Sequence, residues 1–283
     1  MHVQIIAVPY DTAHLDWRCG AGPGYLLRAG LAAHLESRRH TVAEVQVIEA
    51  DSAQALAEIA TGFELMRRVA LAVRASRESG RFPLVLSGNC NASVGALSGL
   101  TPSRRALFWF DAHGDLNTPD TTASGFLDGT GLATALGLCW HRLAAGIPGF
   151  QQVEPQATFL LGARDLDPPE SALLARERMT AVSADRISAE LPELLDRAPL
   201  AGAVAYVHLD LDAFDPVRVG RANTLPVPDG LSVEQLTDAI AAIRARIPLA
   251  AAALSSYAPE FDSQGGVCRA AFAAIDAMLS DPV

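Results

Sequence analysis

Apolar residues gather into short continuous runs, and the stretches between them carry helical spacing. Runs rich in Val, Leu, Ile, Phe and Ala lie at Val3–Val8, Val45–Ile48, Leu84–Leu86, Ala106–Phe110, Thr158–Leu161, Ala203–Leu211 and Leu249–Tyr257. Their length and composition predict strands. Between them, leucines and alanines recurring every three or four residues predict helices over Gly24–Arg38, Ser52–Ser79, Ala92–Leu100, Thr130–Leu138, Pro169–Arg178 and Val233–Arg246. A last helix, Gly266–Leu279, follows the final strand. The second helix is rich in good helix formers. Apolar strands alternating with helices imply an α/β fold whose parallel sheet is buried on both faces. No linker-like stretch or internal repeat interrupts the pattern, so a single domain over residues 1–283 is expected.

The apolar runs end abruptly in polar residues. Asn89 and Cys90 follow one predicted strand, Asp111 another, Asp165 and Asp167 a third, and Asp210 and Asp212 a fourth. An open parallel sheet binds ligands beyond the carboxyl ends of its strands, so four such ends point to one rim. In "DAHGD", Asp111, His113 and Asp115 sit at every second position. An extended chain would turn all three to one side. Asp210 and Asp212 repeat the spacing. An Asp after a strand is by itself an ordinary turn former or helix cap. Five ligand-type side chains at two strand ends, however, need a cation to offset their repulsion. Carboxylates with imidazole suit Mn, Fe or Zn better than Ca or Mg. Four carboxylates exceed one closed zinc site and favour two metals about 3.5–4 Å apart.

Bulk properties narrow the function. The formal net charge is −10 and the isoelectric point about 5.1, which opposes nucleic acid or an anionic membrane as partner. Four scattered cysteines, with no C-x-x-C pair among 283 residues, suit a reduced intracellular protein. "MHVQIIAVPY" reads as a first strand rather than a signal peptide. No uninterrupted apolar stretch reaches membrane-spanning length. The expectation is a soluble cytoplasmic protein.

"DAHGDLNTPDTTASG", "HLDLDAFDP" and "GARDLDPPE", with the early "GAGPGYLLRAGL", resemble the signatures of the ureohydrolase family of arginases and agmatinases. The match runs on to "YAPEFD" near the end. The resemblance implies a three-layer α/β/α fold with a central, mainly parallel sheet of about eight strands. It also implies two Mn2+ ions, with Asp111, His113, Asp115, Asp210 and Asp212 as ligands. The sixth family ligand is a histidine where this chain has Cys90, in "SGNCN". A free cysteine is more often a small core residue, but its place in the metal loop favours ligation by a softer, charged thiolate.

By the same resemblance Asp115 passes the nucleophile's proton to the leaving amine. Asp128, in "SGFLDGTG", stands where arginases carry a histidine proton shuttle. Asn117, Thr122 and Ser124 match positions that bind an α-carboxylate, with Phe126 replacing an asparagine. Asp167 and Glu170 match those that hold the α-ammonium, and Glu234 or Gln235 falls where an acidic residue would face the guanidinium. The ordinary alternative for "NTPDTTASG" is a set of turn residues. Together these features resemble the Nω-hydroxy-L-arginine amidinohydrolase type linked to D-cycloserine biosynthesis, which splits a guanidino amino acid into hydroxyurea and L-ornithine. Arginase or agmatinase action on an unmodified guanidine is the alternative. A Cys90-dependent amidinotransferase with His113 as base and a non-catalytic guanidino-ligand binder are further ones. The resemblance also allows a homo-oligomer. His14, Cys19 and His141 have no assigned partner, Trp109 is expected to pack in its strand, and His208 reads as structural rather than as a ligand.

Overall fold

The computed structural model describes residues 1–51, 57–100 and 103–280. Its strands are β1 (His2–Val8), β2 (Tyr10–Asp11), β3 (His14–Leu15), β4 (Thr41–Val42), β5 (Gln46–Val47), β6 (Phe82–Ser87), β7 (Arg104–Phe110), β8 (Thr158–Leu161), β9 (Thr180–Val182), β10 (Ala203–Asp210) and β11 (Leu249–Ser255). The helices are α1 (Ala21–Arg28), α2 (Leu31–Ser37), α3 (Glu58–Glu78), α4 (Ala92–Gly99), α5 (Gly131–Ala135), α6 (His141–Ala144), α7 (Pro168–Glu177), α8 (Ile187–Arg197), α9 (Val233–Arg244) and α10 (Gly266–Leu279). Nine strands form one sheet in the order β4-β1-β6-β11-β10-β7-β8-β9, with β5 also paired to β1. Its pairings are parallel. β2 and β3 make a separate antiparallel hairpin.

Alternation along the strands feeds two cores, one on each face. Phe108 and Phe110 of β7 and Val207 and Leu209 of β10 pack with Leu26, Leu35, Leu191, Ile240 and Ile275 from α1, α2, α8, α9 and α10. Leu107, Trp109 and Tyr206 face the other way, toward Phe63, Val94, Leu132 and Leu173 of α3, α4, α5 and α7. Each fully buried side chain of this size contributes about 1.5–3 kcal/mol of transfer free energy. This is the expected three-layer α/β/α arrangement. Because the paired strands run parallel, the loops after β1, β6, β7, β8, β10 and β11 all emerge on one rim. No helix among the described residues is long and apolar enough to cross a membrane.

Several boundaries differ from the sequence expectation. Predicted helix 24–38 is two helices, broken where Gly30 takes φ 94°, a conformation glycine adopts without steric cost. Predicted helix 52–79 begins at Glu58; its residues 52–56 lie outside the described ones. Predicted helix 130–138 shrinks to Gly131–Ala135, with Gly137 at φ 71° soon after. Helix α8 went unpredicted although Ile187, Leu191 and Leu195 line its buried stripe. Pro192 inside it lacks an N–H and normally argues against a helix interior. The short strands β4 and β9 were likewise unpredicted, because two or three residues carry too little periodicity.

Gly88 shows how the rim is assembled. A Cβ there would lie 2.2 Å from Tyr10 O and 2.7 Å from Gly20 Cα, whereas one at Gly129 would meet nothing within 4 Å. Replacing Gly88 by Ala is therefore expected to destabilise the fold by about 1–3 kcal/mol. Gly129→Ala should stay within about 0.5 kcal/mol of the parent. Urea denaturation of both variants checks the contrast.

Candidate metal centre

β7 and β10 are neighbours, with Leu209 paired to Phe110, so their acidic ends lie side by side. Each end is shaped by the same local device. The Asp111 carboxylate accepts the His113 N–H at 2.7 Å, and Asp210 accepts the Asp212 N–H at 2.8 Å. These aspartate turns replace the extended chain the spacing suggested: residues 112 and 113 form a bend and Leu211–Ala213 a 3-10 turn. Asp115 then takes φ 50°, in the left-handed region that costs a non-glycine residue energy. The carboxylates converge all the same, through bends rather than through a period of two.

The side chains meet at the wall of a cavity of about 290 Å³, lined among others by Cys90, His113, Asp115, Asp128, Asp210 and Asp212. His113 Nδ1 lies 3.4 Å from Asp111 and 3.4 Å from Asp212. Cys90 Sγ donates to Asp210 at 3.0 Å and lies 3.2 Å from the hydroxyls of Ser255 and Ser256. Asn223 donates to Asp212 at 2.9 Å, and the Trp109 indole donates to Asp111 at 3.1 Å.

Burial raises the pKa of Asp111, Asp115 and Asp210 above the usual carboxylate range, and each neighbouring aspartate adds to the shift. Burial also opposes charge on Asp212, but hydrogen bonding to His113 and the His113 charge hold it below that range. On His113, burial is outweighed by Asp111 and Asp212, which push its pKa up to about 12. The cluster thus calls for positive charge. Asp115 Oδ2 is buried without a hydrogen-bond partner. Two donor groups, Cys90/Asp111/Asp115/His208 and Asp111/His113/Asp212, each keep their ligand atoms within 4.8 Å of one another. Mixed carboxylate, imidazole and thiol donors at that spacing fit divalent transition metals.

Asp128 lies beside the centre, but both its oxygens are engaged. They accept from Asn89 Nδ2 at 2.9 Å, Cys90 N at 3.0 Å and Asn91 N at 2.8 Å. The residue is a strut for the Cys90 loop, and burial pushes its pKa up to about 7.

Of the expected substrate residues, Asn117, Ser124, Asp167 and Glu170 line the cavity. Asn117 donates to Asp167 at 2.8 Å. Glu170 accepts from Leu116 N and Asp167 N, both at 2.9 Å. Thr122 is outside the lining, and its hydroxyl accepts the Gly125 N–H at 3.1 Å as a turn residue does. Glu234 is exposed on the first turn of α9, also outside the lining. Ser232 and Gln235 form the capping box that starts this helix, which turns Glu234 outward and occupies Gln235.

The cavity also takes in residues the sequence reading missed. Asp11 and Arg18 follow β1, Asn223, Thr224 and Leu225 lie in the loop after β10, and Ser256 follows β11 with φ 62°. Asp11 follows the first predicted strand, so the rule that picked out the other four rim segments could have found it, whereas Ser256 was hidden inside the predicted strand 249–257, which ends at Ser255. The loop 223–225 lies too far from its strand for that signal.

Two outcomes follow for stability. Asp128→Asn places an amide against buried N–H donors and should cost about 1–3 kcal/mol in urea denaturation. In the metal-free chain Asp111, Asp115, Asp128 and Asp210 keep protons to higher pH than in the unfolded chain, where carboxylates titrate near ~4. The folded state then binds more protons, so these groups lose stability as pH rises from about 4 through about 7. His113, raised as well, acts in the same direction above its unfolded value, and Asp212 acts oppositely only below the usual carboxylate range. Thermal melts should show the metal-free protein more stable at about pH 5 than at about pH 8. An added divalent cation, which binds deprotonated ligands, should flatten or reverse that order.

A family model for the arginase family matches residues 1–280. The arginase of Bacillus caldovelox is 30% identical over 249 residues, spanning 82% of this chain and 83% of that protein. A solved structure of arginase from Bacillus caldovelox superposes with a TM-score of 0.88 at 25% identity, over 99% of this chain and 98% of that one. Arginase from Bacillus cereus gives 0.87 at 26% identity, over 99% of both chains. Motif, fold and full-length match agree, and the chain belongs to the arginase family.

Proposed function

We propose that the protein is a manganese-dependent amidinohydrolase that cleaves the guanidino group of an arginine-like α-amino acid. Its preferred substrate is Nω-hydroxy-L-arginine, hydrolysed to hydroxyurea and L-ornithine. The observation that carries the reading is the pair of donor groups that share Asp111, beside a cavity lined by Cys90, His113, Asp115, Asp210 and Asp212, with one Asp115 oxygen buried and unpartnered. When bound, two divalent cations would lower a water's pKa to about 7 and offset the carboxylate charge.

The chain's own residues supply the rest. Asp115 Oδ2, free of other partners, takes the proton of the attacking water and passes it to the departing ornithine amine. Asn117 and Ser124 receive the α-carboxylate, assisted by the charge of Arg18, whose guanidinium is held by Thr224 at 3.0 Å. Asp167, fixed by Asn117 and Glu170, receives the α-ammonium. Asp128 is spent on the Cys90 loop, which leaves Asp115 to carry the proton to the departing amine. The preference for the hydroxylated guanidine rests on the resemblance carried by Cys90 and Asp128. The same reading puts the protein in the cytoplasm and in antibiotic biosynthesis.

A cysteine nucleophile is less well supported. Burial, then the charges of Asp210 and Asp128, push the Cys90 thiol pKa well up, the opposite of an activated thiolate.

Manganese-loaded protein assayed with hydroxyarginine, arginine and agmatine should show kcat/KM for hydroxyarginine at least about tenfold above arginine, with agmatine poorest. Chelation should abolish turnover. Agmatine preferred over both amino acids would sink the assignment of Asn117, Ser124 and Asp167, and activity surviving chelation would sink the metal mechanism.

A further inference from the structure

Cys90 alone leaves its side of the centre short of neutral donors. A thiolate with the carboxylates of Asp111 and Asp115 would set three negative charges against one divalent cation, and Asp210, 3.0 Å from Cys90 Sγ, would add a fourth. We propose that His208 is a metal ligand: its imidazole joins Cys90, Asp111 and Asp115 to complete a four-donor site, supplied from inside β10 rather than from a loop. The inference rests on the metal-centre reading above and adds a ligand to it.

The geometry is specific. His208 is fully buried in the strand that ends in Asp210. Its Nδ1 lies 2.8 Å from Ser93 Oγ, which also accepts the Tyr206 hydroxyl at 2.8 Å. In the tautomer with Nδ1–H turned to Ser93, which ligation through Nε2 requires, Nε2 presents its lone pair. That nitrogen has only a contact at 3.5 Å to Ser255 Oγ, at the outer limit of a hydrogen bond, although buried polar groups are normally satisfied. Ser255 in turn touches Cys90 Sγ.

The Trp109 ring stacks on the imidazole with centroids 3.7 Å apart and donates its N–H to Asp111, so one side chain sets both ligands. The four ligand atoms lie within 4.8 Å of one another. A cation drawing each donor to about 2.0–2.3 Å requires side-chain adjustment on the order of 1 Å. Asp115 Oδ2, buried and unpartnered within this group, independently marks the place where charge is missing. Ser93 then plays the part of the outer hydrogen-bond acceptor that orients a ligating histidine.

The test uses the full chain loaded with Co2+, read by metal stoichiometry and by the thiolate-to-cobalt charge-transfer band. The wild type should bind two ions per chain and show the band. His208→Asn should bind one of the two at least about tenfold more weakly and alter or lose the band. Ser93→Ala, which leaves the imidazole in place, should weaken the same ion by about 10–100-fold. It stands as the second variant should His208→Asn fail to fold by circular dichroism. Cys90→His in the His208→Asn background should restore the second ion. Two ions bound with unchanged affinity and an unchanged band in both single variants would overturn the role of His208 alone. A wild-type chain that binds no cobalt would overturn the metal centre itself.

Discussion

The structure is organised around a repulsion. Asp111, Asp115, Asp128, Asp210 and Asp212 are all buried along one rim of the sheet. At an effective dielectric of ~20, two such charges 4 Å apart repel by about 4 kcal/mol, and desolvating each costs several kcal/mol more. The fold meets part of this with backbone donors. Asp111 and Asp210 each take the N–H two residues on, Asp212 takes the Ala112 N–H at 3.2 Å, and Asp128 takes two N–H groups at the start of α4. Asp115 receives none at Oδ2. In the metal-free chain, raised carboxyl pKa values and the charge on His113 offset the repulsion, and a bound cation would offset it with the carboxylates ionised.

A parallel sheet makes the crowding possible. In the order β6-β11-β10-β7-β8, five consecutive strands deliver their carboxyl ends to one edge, and each end is free to carry a polar residue. The apolar bodies below them, such as Phe108, Phe110, Val207 and Leu209, are fully buried, and their packing holds the ends in register. Rim precision is therefore inherited from the core. It is tightened where backbone meets backbone, as at Gly88 against Tyr10 and Gly20.

Much of this was legible in the chain. Long apolar runs marked β1, β7, β10 and β11, and the aspartates after β7 and β10 marked the rim. What escaped had physical causes. The ligand spacing suggested extended chain, whereas aspartate side chains bonding their own backbone bent it, and only an unusual φ at Asp115 kept the convergence. Glu234 looked like a site acid because position along the chain says nothing about which way a helix start is rotated; the Ser232–Gln235 capping box decided that. Asp128 looked like a proton donor because its three bonds run to residues 89–91, which sequence distance hides. His208 looked structural because a lone histidine in an apolar strand usually is; its nearness to Cys90, Asp111 and Asp115 emerges only from the pairing of β10 with β7.

Cys90 and Asp128 are best understood as a coupled pair. Ligating as proposed, a Cys90 thiolate would add negative charge to one side of the centre and make a bound cation a weaker Lewis acid than a neutral nitrogen donor would. The loop that carries this thiol is held by Asp128 through the N–H groups of Cys90 and Asn91, so the same carboxylate cannot be released to move protons without loosening the ligand. With Asp128 so engaged, the proposed proton transfer falls to Asp115, whose Oδ2 has no hydrogen-bond partner. The amine that departs is the same whether or not the far nitrogen carries a hydroxyl, so the proposed preference for a hydroxylated guanidine cannot come from protonation of the leaving group. On the proposed reading, the Cys90 loop acts at the reacting end of the substrate and Asn117, Ser124 and Asp167 act at the amino-acid end.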